Sequence, residues 1–306
     1  GMAENYALGA DRYGRALPRT LWRWTEENLE ILRSRGAGGL PSFRPTPSCL
    51  LALDDAELAQ LRESLSLLRE DGFGAEWLDT HTDDAWSRSD ARGGLVNPGD
   101  ASINPWELLT HLARPLAPAL LEGQELLELA PAGPGVLATT TSAAFRTARV
   151  MVCTNAYAPR LLPTLADRLA PKRAQMLAIR PDPPAPGATP YRLDFCYYAS
   201  HGHEYFRQTA DGTVVLGGKR LARPDEEVGY DDHPTDAIQQ ELERYAREVL
   251  ALRGRVVARW AGIMGFTPDA LPLIRPVALP GCPPESVWFC GGFTGHGMSL
   301  AARTAR

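Results

Sequence analysis

The sequence holds no apolar run approaching the roughly 20 residues that a membrane-spanning helix requires, which excludes a span of that kind. It has no basic excess either. Lys and Arg number 32 against 37 Asp and Glu, for a formal net charge of -5, and no basic stripe stands out, so nucleic acid is not an expected partner. Cysteine is scarce: the 5 residues are scattered singly and odd in number, a pattern of reduced buried thiols rather than a disulfide framework or a zinc site. Gly1 to Arg15 lack the apolar core of a signal peptide, so a cytoplasmic location is expected. No internal repeat and no low-complexity tract is present. What remains is ordinary for a folded enzyme: 306 residues, 44% hydrophobic and 23% charged, a length suited to one large domain or two interleaved ones.

Local patterns divide the chain into elements. Leu17 to Arg35 space their apolar residues as an amphipathic helix does. Ala37 to Pro47 read as a loop and Ser48 to Leu53 as a strand. Asp54 is the expected N-cap of a helix running to about Arg69. Residues 91–105 are rich in Gly, Asn and Pro and read as a loop, followed by a helix from Trp106 to about Leu121 that Pro115 and Pro118 should end or kink. Val136 to Thr140 and Ala144 to Arg149 suggest a hairpin. Val150 to Tyr157 begin as a continuous apolar run and stop at small polar residues, the pattern of a central strand that delivers a loop to a ligand. From Arg173 to Gly218 the chain is β-rich, with Asp211-Gly212 as a hairpin turn. Residues 234–252 form a strongly amphipathic helix, and strands follow at Val256 to Ile263 and Ser286 to Cys290.

The segment Val287-Trp288-Phe289-Cys290-Gly291-Gly292-Phe293-Thr294-Gly295-His296-Gly297-Met298 carries the most chemistry. Its glycines allow positive φ and close approach of backbone to a ligand. The helix that follows directs its unpaired N–H groups and the positive end of its dipole into the turn, where a ligand gaining negative charge is stabilised. A reduced isoalloxazine is such a ligand; a plain strand-to-helix connection has the same spelling.

Several blocks in order then resemble the flavin-dependent D-amino-acid oxidase, glycine oxidase and sarcosine oxidase superfamily. These are Arg92 to Pro105, Val150 to Tyr157, Pro171-Lys172-Arg173-Ala174-Gln175-Met176, Tyr205-Phe206-Arg207-Gln208 with Asp211-Gly212 and Gly217-Gly218, Trp260 to Pro272, and the Gly-rich turn. The resemblance implies an α/β fold with two parts. A partial FAD-binding parallel-sheet domain is expected from residues 2–36, 90–165 and 257–306, and a mainly antiparallel substrate domain from 37–89 and 166–256. The implied reaction is oxidation of the C–N bond of a small amine or amino acid by hydride transfer to flavin. Non-covalent FAD is the implied cofactor, since Ile263 and Met264 occupy the stretch where relatives carry a flavin-linking cysteine or a carboxylate-binding arginine. In the expected cofactor site are Thr154, Asn155, Gly291, Gly292, Phe293, Thr294, Gly295, His296, Gly297 and Met298. Tyr205, Arg207 and His296 are the expected catalytic or substrate-binding residues, with Arg207 pairing a substrate carboxylate.

The superfamily opens with a Gly-x-Gly-x-x-Gly unit that binds the ADP half of FAD, and no such fingerprint occurs in these 306 residues. The chain therefore reads as a member without its first βαβ unit, with Val150 to Cys153 left at an open sheet edge and FAD affinity lowered. Two alternatives stay open: a relative that binds a small ligand without FAD turnover, or a subunit completed by a partner strand or by a second copy. Arg275 stands where relatives have glycine and is expected either to face solvent or to crowd a cofactor. Cys153 and Cys290 read as buried structural thiols, and His201 and His203 as decoration of a solvent-facing loop. No metal site is expected: the two histidines lack a third ligand, and the acidic residues 225–232 lack calcium-loop spacing.

Overall fold

Alternating strands and helices fill residues 5–87 and 90–306, the residues that the computed structural model describes. Met2 to Glu4 and residues 88–89, which belong to the expected division into two parts, lie outside them. The helices are α1 (Tyr6–Tyr13), α2 (Ala16–Ser34), α3 (Asp55–Glu70), α4 (Asp84–Ser87), α5 (Pro105–Ala113), α6 (Ala158–Leu161), α7 (Asp236–Glu248) and α8 (Gly297–Thr304). The first seven strands are β1 (Ser48–Ala52), β2 (Glu76–Leu78), β3 (Gly93–Asn97), β4 (Leu126–Ala132), β5 (Gly135–Thr140), β6 (Ala144–Thr147) and β7 (Val150–Val152). The remaining seven are β8 (Ala170–Pro181), β9 (Cys196–Ala199), β10 (Glu204–Gln208), β11 (Val214–Gly217), β12 (Gly254–Phe266), β13 (Leu273–Pro276) and β14 (Val287–Gly291).

Three sheets organise the α/β fold. The largest has eight strands in the order β12-β8-β11-β10-β9-β1-β3-β2, and the two smaller ones run β13-β14-β7 and β4-β5-β6. Within the large sheet only the β1–β9 pair is parallel. In the β13-β14-β7 sheet, β14 and β7 are parallel. Alternation in the strands decides which face of the large sheet is dry. Tyr197, Phe206 and Leu216 point one way and pack with Ile238, Leu242 and Tyr245 of α7 in one core cluster. Burying each such side chain stabilises the fold by about 1.5–3 kcal/mol. Tyr198, Tyr205 and Gly217 point the other way and leave that face open to the cavity described below. A second core joins Val152, Phe289, Val136 and Leu162 beneath the small sheets, and a third joins Tyr6 and Trp22 to Leu61, Leu65 and Leu68 of α3.

Local signals hold where the chemistry is local. Asp54 caps α3 by accepting the Glu57 N–H at 2.8 Å, and the 106–121 stretch is α5 followed by a 3-10 turn over Arg114–Ala119 that contains both prolines. The Gly-rich stretch 91–105 departs from the expected loop, because Gly93–Asn97 form β3, buried along its whole length. Its two glycines explain this: a Cβ on Gly93 would stand 2.2 Å from the Trp77 ring, and one on Gly94 2.7 Å from Cys49 Sγ. Glycine here makes room for neighbouring side chains rather than for a turn. Val150 to Tyr157 were expected to start as a central strand. β7 is short and lies at the edge of its sheet among the described residues, the open edge expected for Val150 to Cys153, and Met151 is 54% exposed, unlike a residue of a buried central strand. The buried reading of the thiols is also corrected, since only Cys49 is fully buried and Cys153 is exposed. Arg275 faces solvent from β13. No helix is long and apolar enough to cross a membrane among the described residues.

Candidate active site

Between the open face of the large sheet, the helices α1 and α3, and the Gly-rich turn lies a cavity of about 490 Å³, within the range of small-molecule sites. The sheet contributes Ala174, Tyr198, Tyr205, Met264 and Phe266, the helices Leu8, Glu57 and Leu61, and the turn Thr294, Gly295, His296 and Ser299. Tyr205 reaches it because of its register. It sits opposite Tyr198 on β9 and Gly217 on β11, and a Cβ on Gly217 would come within 2.3 Å of the Tyr205 ring. Only glycine lets that ring lie across β11.

Arg220 also lines the cavity. Lys219 adopts a left-handed conformation, φ 59°, so consecutive basic side chains diverge. Lys219 turns back to Glu204, Nζ to Oε1 at 3.1 Å, and stands 4.3 Å from the Tyr245 ring. The Arg220 guanidinium lies 4.7 Å from the centre of the Phe266 ring and has no hydrogen-bond or ion-pair partner among the described residues. Burial holds its pKa below the ordinary arginine value, with the charges of Tyr205 and Glu227 opposing the shift. An aromatic platform under an unpaired, partly desolvated guanidinium is a ready acceptor for a carboxylate.

Two of the cavity's histidines, His203 and His296, are held toward the neutral form. Burial first, and then the positive charge of Arg220, push the His203 pKa below that of a free imidazole. Burial does the same for His296, opposed by hydrogen bonding to the backbone of Phe293 and Thr294. His201 and His203 both line the cavity; His201 is exposed, in keeping with a solvent-facing loop, and His203 is half-buried. The backbone N–H of His201 donates to Glu57 Oε1 at 2.7 Å and that of Leu53 to Oε2 at 2.9 Å, which fixes the Glu57 carboxylate at the cavity wall.

The Gly-rich turn divides its amides between the protein and the cavity side. Gly292 N–H donates to Asn155 Oδ1 at 2.9 Å and Thr294 N–H to the Gly265 carbonyl at 3.0 Å. No side chain caps the N-terminus of α8, and the amides of Gly295, Gly297 and Met298 have no acceptor among the described residues. Gly295 has φ +87°, and the only atom near its Cβ position is Met264 Sδ at 4.0 Å. These donors, with Gly295 lining the cavity, match the electron-rich edge of a flavin ring. For the ADP half of FAD, the 306 residues contain no Gly-x-Gly-x-x-Gly loop.

Of the residues expected from sequence, Tyr205, Thr294, Gly295 and His296 line the cavity. Gly291, Gly292, Phe293, Gly297, Met298, Thr154 and Asn155 are not among the lining residues, and Asn155 is engaged to the backbone as described. Arg207 lies on the Tyr205 face of β10, two residues along, opposite Val215, and is not among the lining residues. Sequence reasoning missed Arg220, His203 and Glu57, although the basic pair after Gly217-Gly218 was a usable signal for Arg220. Elsewhere His81, Asp83 and Asp194 offer ligand atoms within 4.8 Å of one another. Asp83 already accepts from the Tyr197 hydroxyl at 2.6 Å and the Asp194 N–H at 2.8 Å, and His81 pairs with Asp194 at 2.8 Å.

The family described as DAO, FAD dependent oxidoreductase, matches residues 5–306. A glycine oxidase of Pseudomonas aeruginosa is 33% identical over 98 residues, which is 31% of this chain and 24% of that protein. The chain thus aligns with well under two thirds of that relative. Among solved structures, glycine oxidase from Geobacillus kaustophilus superposes with a TM-score of 0.73 at 19% identity, over 93% of this chain and 76% of that one. L-proline dehydrogenase from P. horikoshii gives a TM-score of 0.71 at 19% identity, over 94% and 76%. At these identities the structural likeness is one of fold.

Proposed function

Because the chain belongs to the FAD dependent oxidoreductase family that matches residues 5–306, we propose that it oxidises a carbon bonded to nitrogen in a small amino acid or amine. The observation that carries this reading is the convergence of the Arg220 guanidinium, Tyr205 and the Gly295–His296 turn on one cavity. The chemistry that FAD supplies when bound is acceptance of a hydride from the substrate carbon, which leaves an imine that water hydrolyses.

The chain's own residues bind and orient. Arg220 holds the substrate carboxylate, the role that the sequence suggested for Arg207, because Arg220 is the arginine that lines the cavity. The Tyr205 hydroxyl donates to the same group. His203, neutral beside Arg220, accepts a proton from the substrate ammonium, so that the nitrogen lone pair is free when the C–H bond breaks. The amides of Gly295, Gly297 and Met298 and the α8 dipole favour negative charge on a flavin ring laid against the turn. Residues of the β13-β14-β7 sheet and α8 form the flavin side and the large sheet forms the substrate side, and β3 and β12, which the expected division put in the FAD-binding part, belong to that large sheet. A cytoplasmic location accompanies this reading.

Anaerobic mixing of the flavin-loaded protein with glycine, proline and other small amino acids tests it. The visible band of the oxidised flavin is expected to bleach. Arg220→Ala should raise the substrate concentration needed for half-bleaching by roughly 10–100-fold, the loss of a charge-assisted contact of about 1.5–3 kcal/mol. A flavin that no amine or amino acid bleaches would sink the proposal.

A further inference from the structure

The sheet β13-β14-β7 carries two cysteines that this function does not use. Strands β7 and β14 run parallel, with Val150 opposite Val287, Met151 opposite Trp288 and Val152 opposite Phe289. One step further along both strands, the register brings Cys153 beside Cys290. Val152 and Phe289 point into the core at 3% and 0% exposure, so alternation turns Cys153 and Cys290 to the other face together. There Cys153 is exposed and Cys290 half-buried. Neighbouring strands lie about 4.8 Å apart, inside the Cα separation of about 4.4–6.8 Å that a disulfide bridges.

We propose that Cys153 and Cys290 are a redox-active dithiol site that a peroxide oxidises to an intramolecular disulfide. The two thiols already interact: burial raises the pKa of both, Cys290 lowers that of Cys153 through a hydrogen bond, and Cys153 raises that of Cys290 through its charge and through a hydrogen bond. The exposed Cys153 thiolate attacks a peroxide oxygen, the O–O bond breaks, and hydroxide leaves to be protonated to water. Cys290, as thiolate, then attacks the sulfenic sulfur. The S–S bond forms and the second hydroxide leaves as water. For hydrogen peroxide the balance is two thiols and one peroxide giving one disulfide and two waters.

Position selects this pair. Cys49 on β1 and Cys196 on β9 lie on paired strands but one register step apart, with Cys196 opposite Ser48 and Cys49 opposite Tyr197, so alternation turns them to opposite faces, and Cys282 lies in the connection between β13 and β14. The bond also falls where it matters. Asn155, two residues beyond Cys153, accepts the amide of Gly292, two residues beyond Cys290. Oxidation therefore ties together the strand ends that present the Gly-rich turn. The inference does not depend on the proposed reaction.

The test uses the full chain, reduced, desalted and treated with a slight excess of hydrogen peroxide. Titratable thiols in denaturant are expected to fall from five to three. Non-reducing peptide mapping should then join the Cys153 peptide to the Cys290 peptide. A glutamate-specific protease cleaves after Glu285 and so separates Cys282 from Cys290, and trypsin, which cleaves after Arg168 and Arg173, separates Cys153 from Cys196. In Cys290→Ser the sulfenic acid on Cys153 loses its resolving thiol and should be labelled by a β-diketone trap. Persistence of five thiols, a bond through Cys49, Cys196 or Cys282, or a Cys153 sulfinic acid with no disulfide overturns the proposal. The wild-type map decides alone if the variant does not fold.

Discussion

Two neighbouring basic residues take opposite roles because one backbone angle separates them. The left-handed Lys219, φ 59°, sends its own side chain to Glu204 and the next one into the cavity. The basic pair after Gly217-Gly218 signals a cation but not which of the two enters the cavity, which is why Arg220 was missed while Tyr205, placed by strand alternation, was legible. His203 was illegible for a related reason, since its burial depends on the cavity that distant segments build around it. Its neutrality makes a prediction. The folded state holds the His203 pKa below the unfolded value of about 6.5, so below that pH the unfolded chain binds more protons and stability falls as pH falls. The contribution is complete above about pH 6.5 and is lost as the pH drops toward the folded pKa. Thermal melts at pH 7.5 and 5.5 should therefore show a smaller acid loss for His203→Gln than for the wild type. The difference has a ceiling of about 1.4 kcal/mol per pH unit, the value for one proton, and partial solvation keeps it lower. An equal loss in both proteins would place His203 in water.

Among elements, those with local determinants were readable: α3 from its Asp54 cap, α7 from its apolar stripe, and the β10–β11 hairpin from Asp211-Gly212. Strand β3 was not, because its glycines answer to Trp77, Cys49 and Trp86 from distant parts of the chain. The loop from Arg223 to Thr235 shows the same dependence on distant partners. Arg173 on β8 fixes it through Glu227 Oε1 at 2.8 and 3.0 Å, the Glu226 carbonyl at 2.9 Å and Asp231 Oδ2 at 3.1 Å. The sequence resemblance marked Arg173 as part of a block and offered no partner for it. Arg173 and Glu227 have side chains only 5% and 1% exposed, so removing Glu227 leaves the Arg173 charge buried, with the exposed Asp231 as its remaining ion-pair partner. Glu227→Ala should destabilise the protein by about 3–5 kcal/mol in denaturant unfolding. A cost near that of an exposed ion pair, below about 1 kcal/mol, would show that water replaces the carboxylate.

For the whole molecule, the cavity exists only because the large sheet and the β14-to-α8 turn face each other. Thr294 joins the two bodies by donating its N–H to Gly265 at the end of β12. Flavin contacts follow from that layout. The open donors at Gly295, Gly297 and Met298 and the apolar wall of Met264 and Phe266 all address a ring. A pyrophosphate would call for a Gly-x-Gly-x-x-Gly loop at a helix N-terminus, which these 306 residues do not contain. Binding energy in this chain should therefore come from the isoalloxazine. Riboflavin and FAD are expected to bind it with affinities within about tenfold, or about 1.4 kcal/mol, in fluorescence-quenching titrations. Gly295→Val, which places a branched side chain at φ +87° against the ring, should weaken both ligands alike. Should FAD bind several orders of magnitude more tightly than riboflavin, a nucleotide site must lie elsewhere on this surface, and the turn would no longer be the main anchor.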